Sequence, residues 1–385
     1  GGGACLCGGH DYSSQLGARR EKMLVVATVV GARPQFIKAA VVSRELRRVP
    51  GFTEVLVHTG QHYDPSMSDV FFQELGLVTP DYNLGVGSGT HGAQTGRMLE
   101  ELEQVFLKVR PDWVLVYGDT NSTLAGALAA AKLRIPLAHV EAGLRAFNKG
   151  MPEELNRVLT DHISDLLLAP TQTALHNLRH EGLDHGSIRV VGDVMYDLAM
   201  QTKDEATRRV EVIRGLGLQP KAYVLATIHR AENTDVPARL HALFLGLSKV
   251  AANLPVVIPL HPRTKTMLNR LGLLDRSTPV QFVDPQGYLE MAALTVHARL
   301  VATDSGGLQK EAFFYRVPCV TLRDETEWVE LVELGWNRLV APTSDAAVAG
   351  GILEQLHSGV GREGNPYGDG HAGRRIAKAL SEVGS

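Results

Sequence analysis

The chain has 385 residues, of which 44% are hydrophobic and 21% are charged, and its formal net charge is -3 at pH 7. This length predicts about two globular domains, and the small net charge argues against a nucleic-acid or membrane-surface partner. No apolar run reaches the roughly 20 residues that span a bilayer. The opening stretch also lacks the apolar segment of a signal peptide, so we expect a cytoplasmic protein.

Residues 1–22 are rich in glycine, and we expect them to be a disordered leader or a cloning remnant, with Met23 as the natural start. Two of the three cysteines, Cys5 and Cys7, lie in this stretch, and Cys319 lies in an apolar run. These positions support neither a disulfide framework nor a zinc site. No metal ion is therefore predicted.

From Met23 onward, apolar runs alternate with helical patterns, which is typical of a doubly wound parallel sheet. In the first half we predict strands at 24–30, 54–59, 113–117, 137–140, 166–169 and 188–191. Predicted helices cover 35–49, 67–75 and 94–109, and further helices begin near 121, 152 and 173.

A polar helical segment at 193–214 precedes a second alternation of the same kind. Its predicted strands are 223–227, 256–259, 280–282, 300–303 and 317–321, and its predicted helices are 237–253, 288–298 and 308–316. A flexible Gly-rich link at 359–370 precedes a last helix at 372–383. We therefore expect an N-terminal Rossmann-like domain at 23–195, a C-terminal one at 196–365, and a segment at 366–385 that packs back on the first domain. A ligand cleft is expected between the two sheets.

Three acidic residues lie where the predicted sheet of the first domain would open. Asp119 and Glu141 follow two apolar strands, and Glu153 stands at the start of a helix. Since the carboxyl ends of parallel strands line one crevice, we expect these carboxyl groups to converge for proton transfer. Each acid alone is also explained by helix capping or the helix dipole. Arg157, four residues after Glu153, is expected either to aim that acid or to form an ordinary surface ion pair.

The second domain has a candidate phosphate site at Ser305, Gly306 and Gly307, which join a strand to a helix. Free N–H groups at a helix start favour a phosphate, although tight packing explains the glycines equally well. The spacing is not that of a dinucleotide or P-loop fingerprint. Glu311, nearly two turns further on, is placed to bind a ribose diol.

Basic residues also follow predicted strands. Arg33 and Lys38 follow the first strand of the chain, where both can point at an anion. His229 with Arg230, and His261 after the next strand, can offer positive charge to a diphosphate that leaves during a reaction. A single histidine is more often structural, but two such clusters on one sheet favour a functional role.

Seven motifs together resemble the non-hydrolysing UDP-N-acetylglucosamine 2-epimerases, over nearly the whole chain from Met23 on. They are GARPQFIK at 31–38, TGQHYD at 59–64, YGDTNSTLAGALAA at 117–130, HVEAGLR at 139–145, PEELNR at 152–157, HRAEN at 229–233 and DSGGLQKEA at 304–312. The resemblance implies two Rossmann-like domains facing a cleft, as in the GT-B class of glycosyltransferases. It also implies a UDP-sugar substrate, no cofactor and a homodimer.

The family mechanism, by resemblance, is removal of the C2 proton of the sugar while UDP leaves C1, which gives 2-acetamidoglucal. UDP then adds back, and reprotonation from the other face gives UDP-N-acetylmannosamine, a precursor for cell-surface polysaccharide. The resemblance makes Asp119, Glu141 and Glu153 the catalytic acids and His229 the residue that assists UDP departure. It also implies contacts with the ligand by Arg33, Lys38, Gln94, Ser305 and Glu311, with Arg157 supporting Glu153.

The chain departs from the family pattern at several positions. Ala231 and Trp328 stand where arginines are expected, so we expect a changed phosphate or sugar contact. Tyr63 and Ala93 replace arginines associated with a second, activating UDP-sugar site, so that regulation is expected to differ.

Four alternatives to this function remain open from the sequence. The chain could act on a more modified UDP-2-acetamido sugar, or hydrolyse its product as the hydrolysing epimerases do. A glycosyltransferase would use the same cleft but needs an acceptor and usually one base. A regulator that binds nucleotide sugars would be expected to have lost acids, and none of the three is missing.

Overall fold

The computed structural model describes residues 23–61, 79–183, 186–274 and 279–383. Within these ranges the chain forms two parallel sheets, which confirms the predicted α/β class. The predicted leader at 1–22 and the predicted helix at 67–75 lie outside the described residues. In the described ranges, no helix has the combination of length and apolar character that a membrane span requires.

The N-terminal sheet contains β1 (Leu24–Val30), β2 (Phe52–His58), β3 (Tyr82–Asn83), β4 (Trp113–Tyr117), β5 (Leu137–Val140), β6 (Leu166–Ala169) and β7 (Ile188–Val190). They are all parallel and lie in the order β3-β2-β1-β4-β5-β6-β7. The accompanying helices are α1 (Arg33–Arg48), α2 (His91–Val109), α3 (Asn121–Lys132), α4 (Pro152–Ile163) and α5 (Gln172–His180). Strands β4 and β5 are buried along their whole lengths, because helices cover both faces of the sheet.

The predicted polar helix at 193–214 is two helices, α6 (Val194–Arg208) and α7 (Val210–Gly215). The second sheet then contains β8 (Val224–Thr227), β9 (Val256–Pro259), β10 (Gln281–Val283), β11 (Leu300–Thr303), β12 (Cys319–Thr321) and β13 (Asn337–Leu339). Its order is β10-β9-β8-β11-β12-β13, again with parallel pairs throughout.

Around this sheet lie α8 (Ala231–Thr234), α9 (Pro237–Ala251), α10 (Pro262–Arg270), α11 (Tyr288–His297), α12 (Gly306–Phe314), α13 (Val329–Glu333) and α14 (Asp345–Ser358). The sequence analysis did not predict α8, α10, α13, α14 or the short strands β3 and β13. The short lengths of α8, α13, β3 and β13 and the polar surface of α10 leave little periodic signal.

The last helix, α15 (Ala372–Val383), packs against α1 and α6. Asp197 of α6 accepts hydrogen bonds from the N–H groups of Ala372 and Gly373 at 3.0 and 2.9 Å. A Cβ on Gly373 would lie 2.9 Å from Val41 Cγ1, so glycine permits the close approach of α15 to α1.

The Gly-rich link before α15 contains a buried aromatic residue. Tyr367 is 2% exposed, and its ring lies 5.7, 5.4 and 5.8 Å from the rings of Phe313, Phe314 and Trp328. Aromatic pairs at these distances are mutually stabilising. This aromatic cluster fixes the link against α12.

Candidate active site

The carboxyl ends of β4 and β5 bring two of the predicted acids to one edge of the N-terminal sheet. The strands are neighbours, and the Gly118 N–H donates to the Val140 carbonyl at 3.0 Å. Gly118 and Glu141 have φ values of +63° and +74°. A Cβ on Gly118 would lie 3.0 Å from Lys38 Nζ, so glycine leaves room for the lysine. For Glu141 the positive φ costs about 1–3 kcal/mol, strain of a kind that often marks functional sites.

Glu141 is held between two lysines. Its side chain is 8% exposed, Lys38 pairs with Oε2, and Lys310 Nζ lies 3.0 Å from Oε1. Burial raises the pKa of this carboxyl, but the charges of Lys310 and Lys38 outweigh it and lower the pKa to about 2. Glu141 is therefore an anion at neutral pH and a weak base.

Asp119 is paired with Arg157. Arg157 Nε and Nη2 donate to Asp119 Oδ2 at 3.0 and 2.6 Å, and the arginine side chain is 2% exposed. Arg157 also donates to Glu154 Oε2 at 2.8 Å. Opposing the effect of burial, Asp119, Glu327 and Glu154 together raise the pKa of Arg157. Both bonds from Arg157 are accepted by Oδ2, so Arg157 does not engage Oδ1 of Asp119, and the aspartate side chain is 30% exposed.

The predicted pairing of Arg157 with Glu153 is wrong. The arginine lies beside Glu154, which also accepts hydrogen bonds from the N–H groups of Ala146 and Phe147 at 3.0 and 2.8 Å. Glu154 thereby ties the loop before α4 to that helix. The carboxylate of Glu153 is partly exposed and makes no hydrogen bond or ion pair with the part of the chain that the structure describes.

Gln94 connects the loop that precedes α2 to the start of α3. Its Nε2 donates to the Gly87 carbonyl at 2.8 Å, and its Oε1 accepts from Asn121 Nδ2 at 2.8 Å. Asn156 Nδ2 in turn donates to the Asp119 carbonyl at 2.9 Å. These amides brace the backbone that carries Asp119.

In the C-terminal domain, Asp304 organises the ends of β8 and β11. It is fully buried, and its Oδ2 accepts from the N–H groups of His229 and Arg230 and from Asn233 Nδ2 at 3.0, 3.0 and 3.1 Å. Its Oδ1 lies 3.3 Å from His229 Nδ1. The imidazole is 42% exposed, so Asp304 fixes one ring nitrogen while the other faces outward.

The candidate phosphate site is the start of α12. Ser305 caps this helix, since its Oγ accepts from the Leu308 N–H at 3.3 Å. A Cβ on Gly306 would lie 2.9 Å from Glu327 Oε1 and 3.7 Å from Arg230 Nη2. The first N–H groups of a helix have no partner within it, which makes this start a suitable position for an anion.

Glu327 lies between arginines of both domains. Arg323 Nη1 donates to its Oε2 at 2.9 Å, and Arg157 Nη2 lies 3.7 Å from its Oε1. Burial raises the pKa of Glu327, but the charges of Arg157, Arg323 and Arg230 outweigh it and lower the pKa to about 2. A second contact between the domains joins Asn148 Nδ2 to Glu325 Oε1 at 2.5 Å. The acids of the first domain thus face the start of α12 across the cleft.

His261 and Glu311, which were also predicted to contact the ligand, make contacts that do not by themselves indicate a ligand site. His261 caps α10, because the Arg263 N–H donates to its Nδ1 at 3.2 Å, and its ring centroid lies 6.2 Å from that of His229. Glu311 is 7% exposed on α12, and after burial its charge helps to raise the pKa of Tyr288 and Tyr315. The side chain of Arg33 lies outside the described part.

Four residues of this site were not identified from the sequence: Asp304, Lys310, Glu327 and Asp193, whose Oδ2 lies 2.5 Å from Lys310 Nζ. Asp304 and Lys310 stand inside the DSGGLQKEA motif, and Glu327 precedes Trp328. Motif position was therefore an available signal, but partners such as Glu141 for Lys310 and His229 for Asp304 were not, because they lie far apart in sequence. Within the described ranges, no group of three or more His, Cys, Asp or Glu side chains is arranged to hold a metal ion.

Two parallel-sheet domains that face each other across such a cleft define a GT-B-like α/β protein. The sequence profile described as UDP-N-acetylglucosamine 2-epimerase matches residues 44–381. The chain belongs to this UDP-N-acetylglucosamine 2-epimerase family.

Three similar proteins illustrate the range of the family. A Pseudomonas aeruginosa UDP-2,3-diacetamido-2,3-dideoxy-D-glucuronate 2-epimerase is 51% identical, with 93% of this chain and 99% of that protein covered. A Methanococcus maripaludis UDP-N-acetylglucosamine 2-epimerase is 45% identical, with coverage of 93% and 98%. The crystal structure of the Methanocaldococcus jannaschii UDP-GlcNAc 2-epimerase, in complex with UDP-GlcNAc and UDP, has a TM-score of 0.87 and 42% identity, with coverage of 93% and 100%.

Proposed function

We propose that this chain interconverts the C2 epimers of a UDP-2-acetamido sugar without hydrolysis, with UDP-N-acetylglucosamine and UDP-N-acetylmannosamine as the simplest pair. The observation that supports the proposal is that Asp119 and Glu141 of one domain lie opposite the Asp304–His229 pair and the start of α12 in the other. One side of the cleft suits proton transfer, and the other suits an anionic leaving group.

The reaction proceeds in two steps. A base removes the C2 proton, the C1–O bond breaks, and its electron pair leaves with the diphosphate of UDP, so that a C1–C2 double bond forms in 2-acetamidoglucal. A diphosphate oxygen then attacks C1, and C2 takes a proton on the opposite face. Atoms and charges balance without a redox cofactor.

The surroundings of the three acids indicate which of them transfer protons and which does not. Proton transfer is most effective when the acid or base titrates near the working pH, and Glu141, with a pKa of about 2, is far from it. Glu141 therefore serves as a fixed negative charge near the sugar. The proton carriers are Glu153, which no described residue pairs with, and Asp119, whose Oδ1 Arg157 does not engage.

His229 acts on the leaving group. Asp304 lies at the Nδ1 side of the ring, which orients the imidazole. The outward Nε2 then donates to the departing diphosphate, together with the N–H groups at Ser305 and Gly306. The Arg230 guanidinium adds a positive charge on the same side of the cleft.

A more modified sugar is the second candidate substrate, because the Pseudomonas aeruginosa relative with 51% identity is named for a diacetamido glucuronate. Trp328 also replaces an arginine that the family pattern predicts, and a changed contact at that position would suit a changed sugar. The test is the ratio of kcat/KM for UDP-N-acetylglucosamine and for UDP-2,3-diacetamido-2,3-dideoxyglucuronate. A ratio above ten in favour of one assigns the substrate, and turnover of neither contradicts the proposal.

The alternatives are separated by the products formed from a UDP-sugar alone. An epimerase gives two UDP-sugars, a hydrolysing enzyme gives UDP and free sugar, and a glycosyltransferase gives no second sugar without an acceptor. A supply of precursors for cell-surface polysaccharide and a homodimeric assembly are further parts of this proposal and rest on the family resemblance. A cytoplasmic location is also part of it and rests on the sequence features given above.

A further inference from the structure

One lysine of the C-terminal domain contacts the acid cluster of the N-terminal domain. Lys310 lies in α12, and its side chain is 1% exposed. Its Nζ lies 3.0 Å from Glu141 Oε1 and 2.5 Å from Asp193 Oδ2, and 3.8 Å from the centroid of the Trp328 ring. An ammonium group has three N–H donors, and here two carboxylates and one aromatic face surround it. Lys310 is thus fully engaged in a buried position.

The groups that face Glu141 come from several elements. Lys38 approaches from α1, Lys310 from α12, and Asp193 from the start of α6, while Tyr367 lies close enough for the charges of Asp193 and Glu141 to help raise its pKa, after burial. Two lysines and two carboxylates balance in charge. Removing one lysine therefore leaves a buried carboxylate without its counter-charge.

Helix α12 connects the two ends of the site. It begins at Gly306, where the diphosphate is proposed to bind, and Lys310 follows one turn later. The rise of about 1.5 Å per residue puts the two positions about 6 Å apart along the helix axis. The same rigid element thus contacts both the leaving-group side and Glu141 on the sugar side.

We propose that Lys310 is a positioning residue of the reaction. It extends from α12 across the cleft and fixes the position of the Glu141 carboxylate relative to the diphosphate site. This inference rests on the proposed function, because its effect on turnover presupposes epimerisation. Lys38 fixes the other oxygen of Glu141 from within the first domain. Among the residues that the structure describes, only Lys310 ties that carboxylate to the domain proposed to bind the diphosphate.

The test uses four variants of the full chain. Lys310→Met removes the charge, and Lys310→Arg keeps it. Lys310→Met combined with Asp193→Asn also removes the charge of Asp193, the second carboxylate that loses its cation when Lys310 is replaced. The amide oxygen of the asparagine can still accept from the Met195 N–H, as Asp193 does now. The matched control is Lys249→Met, which deletes a surface lysine that pairs with Asp345 at 2.7 Å in the same domain.

The first measurement is the pH profile of kcat and kcat/KM. In both variants with Lys310→Met, we expect the acid limb to move up by about one to two pH units, because a buried carboxyl that loses a nearby cation holds its proton more tightly. Turnover should fall about 100-fold while KM changes only a few-fold, and Lys310→Arg should restore the acid limb. Profiles of the methionine variants that superimpose on those of the parent and the Lys249→Met control would overturn the inference.

The second measurement needs no activity. The melting temperature of the double variant relative to the parent should drop further as pH rises from about 2 to 5, because Glu141, whose pKa is about 2 in the parent and higher in the variant, ionises over this range with one lysine instead of two. A purely space-filling role for Lys310 predicts a difference that does not depend on pH, and that result would also overturn the inference. If the parent fails to epimerise any UDP-sugar, the proposed function is lost, and the melting series still decides whether Lys310 holds Glu141 as a charged group.

Discussion

Replacing Asp304 with asparagine tests whether the leaving-group side of the site depends on one buried carboxylate. Asp304 is fully buried, and three N–H donors converge on its Oδ2. An asparagine keeps one acceptor oxygen, which will take the place of Oδ2, where the three donors meet. Its NH₂ group then faces His229 Nδ1, at the position where Oδ1 lies 3.3 Å away now. The imidazole loses the carboxylate oxygen that orients it.

The expected magnitude follows from that single contact. A hydrogen bond to a charged group is worth about 1.5–3 kcal/mol, which corresponds to a loss of about 10- to 150-fold in turnover. If Asp304 acts through His229, then Asp304→Asn should lower the rate less than about three-fold further in the His229→Ala background, because residues that act as a unit are not additive.

The assay is the initial rate of epimer formation by the parent, the two single variants and the double variant. The control is Asp165→Asn, a carboxylate that accepts the Leu137 N–H at 2.9 Å away from the cleft, and it should leave the rate unchanged. A double variant whose loss equals the product of the two single losses would refute the reasoning that joins Asp304 to His229.

Three further predictions concern charge. Asp119→Asn and Glu153→Gln should each slow turnover about 10²–10⁴-fold and leave UDP affinity within a few-fold of the parent, whereas His229→Ala should also weaken UDP binding about 10-fold or more. Calorimetry measures the UDP affinity, and an acid variant that loses UDP binding contradicts this assignment of roles to the acids and the histidine. Glu327→Gln should lower the free energy of unfolding by about 3–5 kcal/mol, because two buried arginines lose a shared carboxylate; an unchanged urea midpoint at unchanged m-value would argue against this. Glu141 and Glu327 have folded-state pKa values of about 2 against the ordinary 4.5, so the stability they contribute is present above pH 4.5 and is lost as pH falls towards 2; calorimetry should show this loss, and variants with glutamine at either position should show less of it.

Most of the sheet architecture could be predicted from the sequence. The run Trp113–Tyr117 is apolar throughout because β4 is covered on both faces, so its bounds were predicted correctly. The helix α10 (Pro262–Arg270) was not predicted, because only Thr264 and Leu268 of its residues are buried and the rest of its surface is polar. A local hydrophobic pattern reflects which side chains are buried, so an element that is mostly exposed has only a weak pattern.

The acids of the site could be located from the sequence, but their partners could not. Asp119 and Glu141 stand at strand ends, where parallel-sheet topology places ligand-facing residues. Whether Arg157 pairs with Glu153 or with its neighbour Glu154 depends on the turn that the loop makes before α4, and helical spacing does not specify that turn. The contact of Lys310 with Glu141 joins residues 169 positions apart, on two domains, and nothing local to either residue indicates it.

The central claim is that the cleft exchanges the C2 proton of a UDP-sugar while UDP leaves and returns. It is tested most directly by proton NMR of UDP-N-acetylglucosamine, and of the diacetamido glucuronate in a parallel sample, with the purified chain in D₂O and without acceptor, NAD or added metal. The account predicts deuterium at C2 of both epimers of the accepted substrate, with the UDP-sugar pool conserved. Epimer formation that retains the C2 proton, or conversion to free sugar and UDP as the main products, would contradict it.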